Sequence, residues 1–325
     1  MSDLPPELLA SARAQGGVFL TGQAVAAGLS YAALGRAVRT RRIVRLRRGA
    51  YALVEPGEQA PSAEDAHRRL ARACLLTLRP PVWVSHQSAA LLHGLTLYRT
   101  DLSTVHVTRP GRVSSRVEAG IDHHCGELPE TQTVSVDGIP VVSVARAVVD
   151  VARTHAFDQG VVVADSALRA GLAPARLWDV LALCRDWPGA GLASRVVAFA
   201  DGRAESPGES LARCLLSRAG LAPDTLQLHL PVGPYGVRAD LAWRRHRVVL
   251  EFDGKVKYGR AMAPGADPAE AAWRERQSEL AIERLGWVVA RVTWAEVVGS
   301  PWVVVRRVQE AMDLAVQRRL VPAAV

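Results

Sequence analysis

Two strand-like runs near the C-terminal end, VRADLAW at 237–243 and RVVLEFD at 247–253, are joined through the stretch RRHR. Successive strand residues point to opposite faces. The first run therefore puts Val237, Ala239, Leu241 and Trp243 on one face, and Arg238, Asp240 and Ala242 on the other. The second puts Val248, Leu250 and Phe252 on one face, and Val249, Glu251 and Asp253 on the other. A hairpin that pairs Trp243 with Val248 makes the apolar faces coincide, and slipping it by one residue would bury the wrong set. The same register sets Asp240 opposite Glu251, with Cβ atoms about 5 Å apart.

Facing carboxylates repel, and Asp253 lies one pleat further along, so the pattern calls for a positive group between them. A divalent cation with oxygen ligands meets that need, and Mg²⁺ typically keeps several waters while using few carboxylates. Such an ion acidifies a bound water and stabilises charge on a phosphodiester in transition. The only two lysines of the chain, Lys255 and Lys257, follow this acid group directly, whereas every other basic residue is arginine. A compact ammonium on a flexible stem can position a water or neutralise a phosphorane in a way arginine does not reproduce. Asp240, Glu251 and Asp253 are thus candidate metal ligands, for Mg²⁺ or Mn²⁺, and Lys255 and Lys257 candidate catalytic residues.

At 325 residues, two or three domains are expected. The formal charge of +8 makes polyanions the first partners to consider. Four scattered cysteines without a CxxC pair argue against a disulfide frame and a zinc ribbon, and for a reducing cytoplasm. The N-terminus lacks the pattern of a signal peptide, and no apolar run has the length of a membrane span. No motif points to a small-molecule cofactor.

Residues 1 to about 57 read as three helices and a hairpin: a helix from Leu4 to Ala14, one capped by Thr21, one capped by Ser30, then alternation in IVRLRRGAYAL around Arg48-Gly49. Seven arginines (Arg36, Arg39, Arg41, Arg42, Arg45, Arg47 and Arg48) crowd the third helix end and the hairpin. A winged helix-turn-helix puts its second helix of the pair in the major groove and its wing against phosphates. Tyr31, Arg36 and Arg39 are expected at bases or sugars, and Arg45, Arg47 and Arg48 at phosphates. A linker rich in proline and acid, EPGEQAPSAE, follows. The middle zone suggests helices near 63–79, 86–94, 143–155 and 158–170 and strands at 104–108 and 139–142. Beyond SPGESLARCLLSRAGL come the two strands above, a helix at 268–285, a strand at 287–293 and a closing helix from about 302.

The segment GGVFLTGQAVAAGLSYAALGRAVRTRRIVRLRRGAYALV resembles the winged-helix domain of AbiEi-type antitoxins, and VSHQSAALLHGL, DGIPVVSVARAVVDVAR and VVVADSAL extend the resemblance to about residues 15–170. It implies a DNA-binding autorepressor paired with a nucleotidyltransferase-like toxin. Residues 203–298 resemble the PD-(D/E)XK nucleases, in the very-short-patch-repair-endonuclease-like branch, through Glu209 in SPGES, Asp240, Glu251, Asp253 and RERQSELAIERLGWVVARVTW. That resemblance implies metal ligands at Asp240 and Glu251, with Glu209 as a further ligand. The superfamily lysine normally stands where this chain has Asp253, so Lys255, Lys257 or Gln277 would take its role. Gln277 falls on the helix face expected to meet the sheet. Glu209 has a second reading, in a capping box with Ser206 and Pro207.

His123-His124-Cys125 is ligand-like but lacks a fourth ligand at zinc spacing, and reads as a solvated trio at a loop end. His86 reads as the start of a helix capped by Ser85. The expectation is an α+β multidomain protein: a winged helix at 1–57, an AbiEi-like mixed α/β domain at 58–202, and a restriction-endonuclease-like α/β/α domain at 203–325. It would bind double-stranded DNA in the cytoplasm as a Mg²⁺-dependent endonuclease or nickase linked to toxin–antitoxin, phage-defence or repair functions. The alternative is an AbiEi-type repressor and antitoxin whose nuclease fold is inactive.

Overall fold

The computed structural model describes residues 4–55, 57, 59–111, 114–231, 236–253 and 268–320, with the backbone alone for 268–275, 319 and 320. Lys255 and Lys257 lie outside the described residues. The chain forms two compact units, one of residues 1–155 and 172–197, the other of 156–171 and 198–325. The boundary near residue 57 therefore falls inside the first unit, and the segment 156–171 belongs with the C-terminal one.

The first unit begins α1 (Pro6–Ala14), β1 (Val18–Leu20), α2 (Thr21–Ala26), α3 (Tyr31–Arg39), β2 (Ile43–Arg47), β3 (Ala50–Leu53). The three strands form an antiparallel sheet in the order β1-β3-β2. Leu8 and Ala12 of α1, Leu34 and Ala37 of α3, Phe19 and Ile43 share one buried core. Ser30 caps α3 as its sequence suggests, its hydroxyl accepting from the Ala33 amide. Thr21 is no cap: it is the first helical residue of α2, and Gln23 Oε1 reaches back to the Leu20 amide. Strand β1 is an addition to the sequence reading, because three residues are too few for alternation to register.

A second sheet in this unit holds six strands in the order β6-β7-β5-β4-β9-β8. The intervening elements run α4 (Ala63–Leu75), β4 (Trp83–Val84), α5 (His86–Leu92), β5 (Val105–Arg109), β6 (Arg116–Glu118), β7 (Ile121–Cys125), β8 (Thr133–Val136), β9 (Ile139–Val142) and α6 (Val144–Thr154). Ser62 and Ser143 cap α4 and α6 through their hydroxyls. The chain then passes through α7 (Phe157–Arg169), of the other unit, before α8 (Pro174–Leu183) and α9 (Ala190–Phe199).

In the second unit, α10 (Pro207–Arg218), β10 (Thr225–Leu230), β11 (Val237–Trp243), β12 (Val248–Asp253), α11 (Pro268–Arg284), β13 (Val288–Thr293), α12 (Trp294–Gly299) and α13 (Pro301–Leu320) follow in order. The sheet order is β10-β11-β12-β13, antiparallel except for the last pair. Val248, Val249 and Leu250 are all fully buried, so both faces of β12 are covered. That explains the continuous apolar run, since a strand buried on both sides needs no polar alternation. The whole is a mixed α and β architecture, and no helix among the described residues is long and apolar enough to cross a membrane.

Candidate nucleic-acid interface and carboxylate cluster

Helix α3 turns Leu34 and Ala37 into the core, which leaves Tyr31, Arg36 and Arg39 on its outer surface. Tyr31 is 75% exposed, a large aromatic left in solvent at the first residue of the helix. Arg36 and Arg39 are exposed in the last turn, where the helix dipole also favours cations. Arg48 is exposed at the β2–β3 turn, which Gly49 closes with φ of +80°. Arg45 is exposed on β2, its Nε donating to the Arg47 carbonyl. Arg36, Arg39 and Arg48 carry no acidic partner among the described residues, so their charge is available to a polyanion.

Three of the seven arginines are placed differently from this group. Arg47 is half-buried, and its Nη1 donates to Cys74 Sγ at 2.9 Å, on α4. The register of β2 against β3 shifts between Arg45 and Arg47, and such a bulge re-aims the next side chain. One of its nitrogens is thus engaged on α4, which sets it apart from the exposed arginines. Arg41, exposed with φ of +54°, and half-buried Arg42 sit before β2 and line a depression with Arg13 and Glu55.

The hairpin register in the second unit is the one its sequence suggests: Trp243 pairs Val248, Ala242 pairs Val249 and Leu241 pairs Leu250. Asp240 Oδ2 accepts from the Phe252 amide at 2.8 Å, so this carboxylate is braced against β12. Glu251 pairs in parallel with Arg291 on β13, and Arg291 Nη2 stands 3.2 Å from Glu251 Oε2 and 3.4 Å from Glu279 Oε2 of α11. The positive group that the acid face requires is thus present as a guanidinium. Arg291 is the residue that the sequence reading missed, although an arginine inside a strand of valines was visible there.

Glu209 is buried and works as a cap. Its Oε1 accepts from the Ser206 hydroxyl at 2.7 Å, and its Oε2 accepts from the Glu205 backbone amide at 2.9 Å and from Gln227 Nε2 at 2.8 Å. Burial pushes its carboxyl above the usual range, and the nearby Asp240 pushes in the same direction. Asp253 pairs with Thr293 across the parallel ladder. Gln277 is exposed, so its expected place against the sheet is corrected; among the described side chains of α11, Ile282 is the one that is fully buried in the core. Among the described residues Asp240, Glu251 and Asp253 do not converge as a ligand group, and Asp240 Oδ2 and Glu251 Oε2 each already meet a protein donor.

Two histidine readings also change. His123, His124 and Cys125 lie inside strand β7, not at a loop end, and His123 is buried. Ser85 stands at the helix start but makes no side-chain cap; its hydroxyl meets His86 Nδ1 at 3.0 Å.

Residues 6–54 match a family described as transcriptional regulator, AbiEi antitoxin. Two uncharacterized proteins from strains of Mycobacterium tuberculosis, Rv2248 and MT2308, are each 29% identical over 232 residues, spanning 70% of this chain and 80% of the relative. Among solved structures, the RV2827C protein of Mycobacterium tuberculosis aligns over 59% of this chain and 74% of its own, at 18% identity and a TM-score of 0.40.

Proposed function

We propose that this chain is a DNA-binding transcriptional regulator of the AbiEi antitoxin type, with a C-terminal unit that serves as a non-catalytic binding module. The observation that carries the reading is the outward set of Tyr31, Arg36, Arg39, Arg45 and Arg48 on α3 and the β2–β3 hairpin, inside the segment that matches the antitoxin family. The order α1, β1, α2, α3, β2 and β3 supports reading this segment as a winged helix. In it α3 enters the major groove, with Tyr31, Arg36 and Arg39 at base or sugar edges, while Arg45 and Arg48 hold phosphates. Such a regulator works in the cytoplasm on its own promoter, opposite a nucleotidyltransferase-like toxin.

A non-catalytic C-terminal unit is supported by the Arg291 guanidinium between Glu251 and Glu279, and by the capping bonds that hold Glu209. A second reading, a metal-dependent endonuclease, draws on the closeness of Glu209 to Asp240 and on the bond from the Phe252 amide of β12 to Asp240. In it Asp240, Glu251 and Asp253 would hold Mg²⁺ or Mn²⁺, with Lys255, Lys257 or Gln277 beside them.

One pair of assays separates the two. Fluorescence anisotropy with a duplex from upstream of the chain's own gene should give binding that is lost in Arg36→Ala/Arg39→Ala. Supercoiled plasmid with Mg²⁺ or Mn²⁺ should remain uncut. Nicking by the wild type that disappears in Asp240→Ala would establish the nuclease reading instead.

A further inference from the structure

Strands β5 and β7 run parallel with His106 opposite Asp122 and Thr108 opposite His124. Asp122 and His124, two residues apart, share a face, and His106 joins them from the neighbouring strand. His106 Nδ1 and His124 Nε2 lie 2.9 Å apart, and Asp122 Oδ2 lies 3.7 Å from each. A tetrahedral metal with bonds of about 2.0–2.1 Å separates its ligand atoms by roughly 3.3 Å, so the three distances bracket the face of such a tetrahedron. His86, at the start of α5, stacks on His124 with ring centroids 3.7 Å apart and offers a nitrogen within 4.8 Å of the other two imidazoles.

The neighbours of these rings suit ligation. The side-chain amide of Gln87 stands against His106 Nε2, and Gln87 Oε1 is buried without another partner. With that oxygen turned to Nε2, the His106 proton is fixed there and the Nδ1 lone pair faces the cluster, which is the tautomer a metal requires. His86 sits at φ of +52°, a left-handed conformation that is costly for a side chain of its size. Its Nδ1 meets Ser85 Oγ and its Nε2 accepts from Arg153 at 3.1 Å; releasing Arg153 frees that nitrogen as a ligand.

We propose that His106, His124 and Asp122, with His86 beside them, form a binding site for a zinc-class transition metal that clasps β5 and β7 to the start of α5. Imidazole-rich sets with one carboxylate suit Zn²⁺, Co²⁺ or Ni²⁺, whereas Mg²⁺ takes oxygen ligands. The role is structural: the ligands come from three elements that no covalent link holds together, and closed sites of this kind contribute to folding stability.

The test uses the full chain, stripped with a chelator and titrated with Co²⁺ and Zn²⁺. A single equivalent of Co²⁺ should give the visible absorption of a tetrahedral nitrogen and oxygen site, and Zn²⁺ should displace it and raise Tm. Asp122→Asn should weaken Co²⁺ binding by at least about tenfold, the scale on which losing support at a metal site reads out. His106→Ala/His124→Ala should abolish the absorption. His246→Ala, at an exposed residue of the other unit, should behave as the wild type. Far-UV spectra and melts without metal establish that each variant is folded; the conservative Asp122→Asn keeps the test decisive if the double variant is not. Absence of a tetrahedral spectrum and of a zinc-dependent Tm rise in the wild type would overturn the site, as would unchanged binding in Asp122→Asn.

Discussion

Replacing Arg45 and Arg48 together with alanine separates phosphate contact from packing within one hairpin. Both guanidinia are exposed, on β2 and at the β2–β3 turn, whereas Arg47 between them is half-buried and bonded to Cys74 Sγ. Each phosphate neutralised contributes about 0.9 to the slope of log K against log salt, so losing two contacts lowers the slope by about 1.8. At about 0.1 M salt the same counterion release amounts to about 1.8 logarithmic units, a weakening of roughly 60-fold or about 2.4 kcal/mol. Arg47→Ala should leave the slope unchanged and lower Tm instead, since it removes one side-chain hydrogen bond worth about 1 kcal/mol. The assay is anisotropy of a labelled duplex at several salt concentrations, with a melt of each variant. The reasoning is refuted if Arg47→Ala flattens the slope as much as Arg45→Ala, or if the double variant keeps the wild-type slope.

Other outcomes concern three ion-pair sites, one buried and two half-buried. Asp150, fully buried, accepts from Arg146 Nε at 2.9 Å and Arg153 Nε at 3.0 Å, with Trp187 packed against both guanidinia. Asp150→Asn leaves two cations without their anion and should cost about 3–5 kcal/mol in urea denaturation; a loss below about 1 kcal/mol would show that the network is solvated. Arg291→Met leaves Glu251 and Glu279 facing each other and should destabilise the chain by about 1–2 kcal/mol, a partly screened effect that shrinks when Glu251→Gln is added. In the second unit, the hydrogen bonds from Arg307 hold Glu296 down to about 2. A depressed carboxyl stabilises above its unfolded pKa of about 4.5 and loses that contribution as pH falls toward about 2. The full shift would give about 3.4 kcal/mol, which solvent screening at the half-buried Arg307 reduces to about 1–2 kcal/mol. Arg307→Gln should therefore flatten acid unfolding across that window, and an unchanged acid limb would count against the pair.

The local pattern carried much of the fold. Period-two alternation and the requirement that apolar faces coincide gave the β11–β12 register, and Ser30 ahead of an apolar stripe marked the start of α3. Both are determined within a dozen residues, by backbone geometry and one hydrogen bond. Short strands such as β1, β4 and β6 were illegible because two or three residues show no period. Charge and arginine spacing identified the outward face of α3, but the inward turn of Arg47 depended on a bulge and on Cys74, 27 residues away in the chain. The acid face of the hairpin called for a positive neighbour, yet only the parallel pairing of β12 with β13 decided that Arg291 supplies it. The histidine cluster is the clearest case: His86, His106 and His124 have no common spacing, and they meet because β5 and β7 pair in parallel beside α5. Sequence fixes what each residue can do within its own turn or strand, because those forces act between near neighbours. Which distant side chains share a low-dielectric site is set by packing, and the chemistry of such a site exists only there.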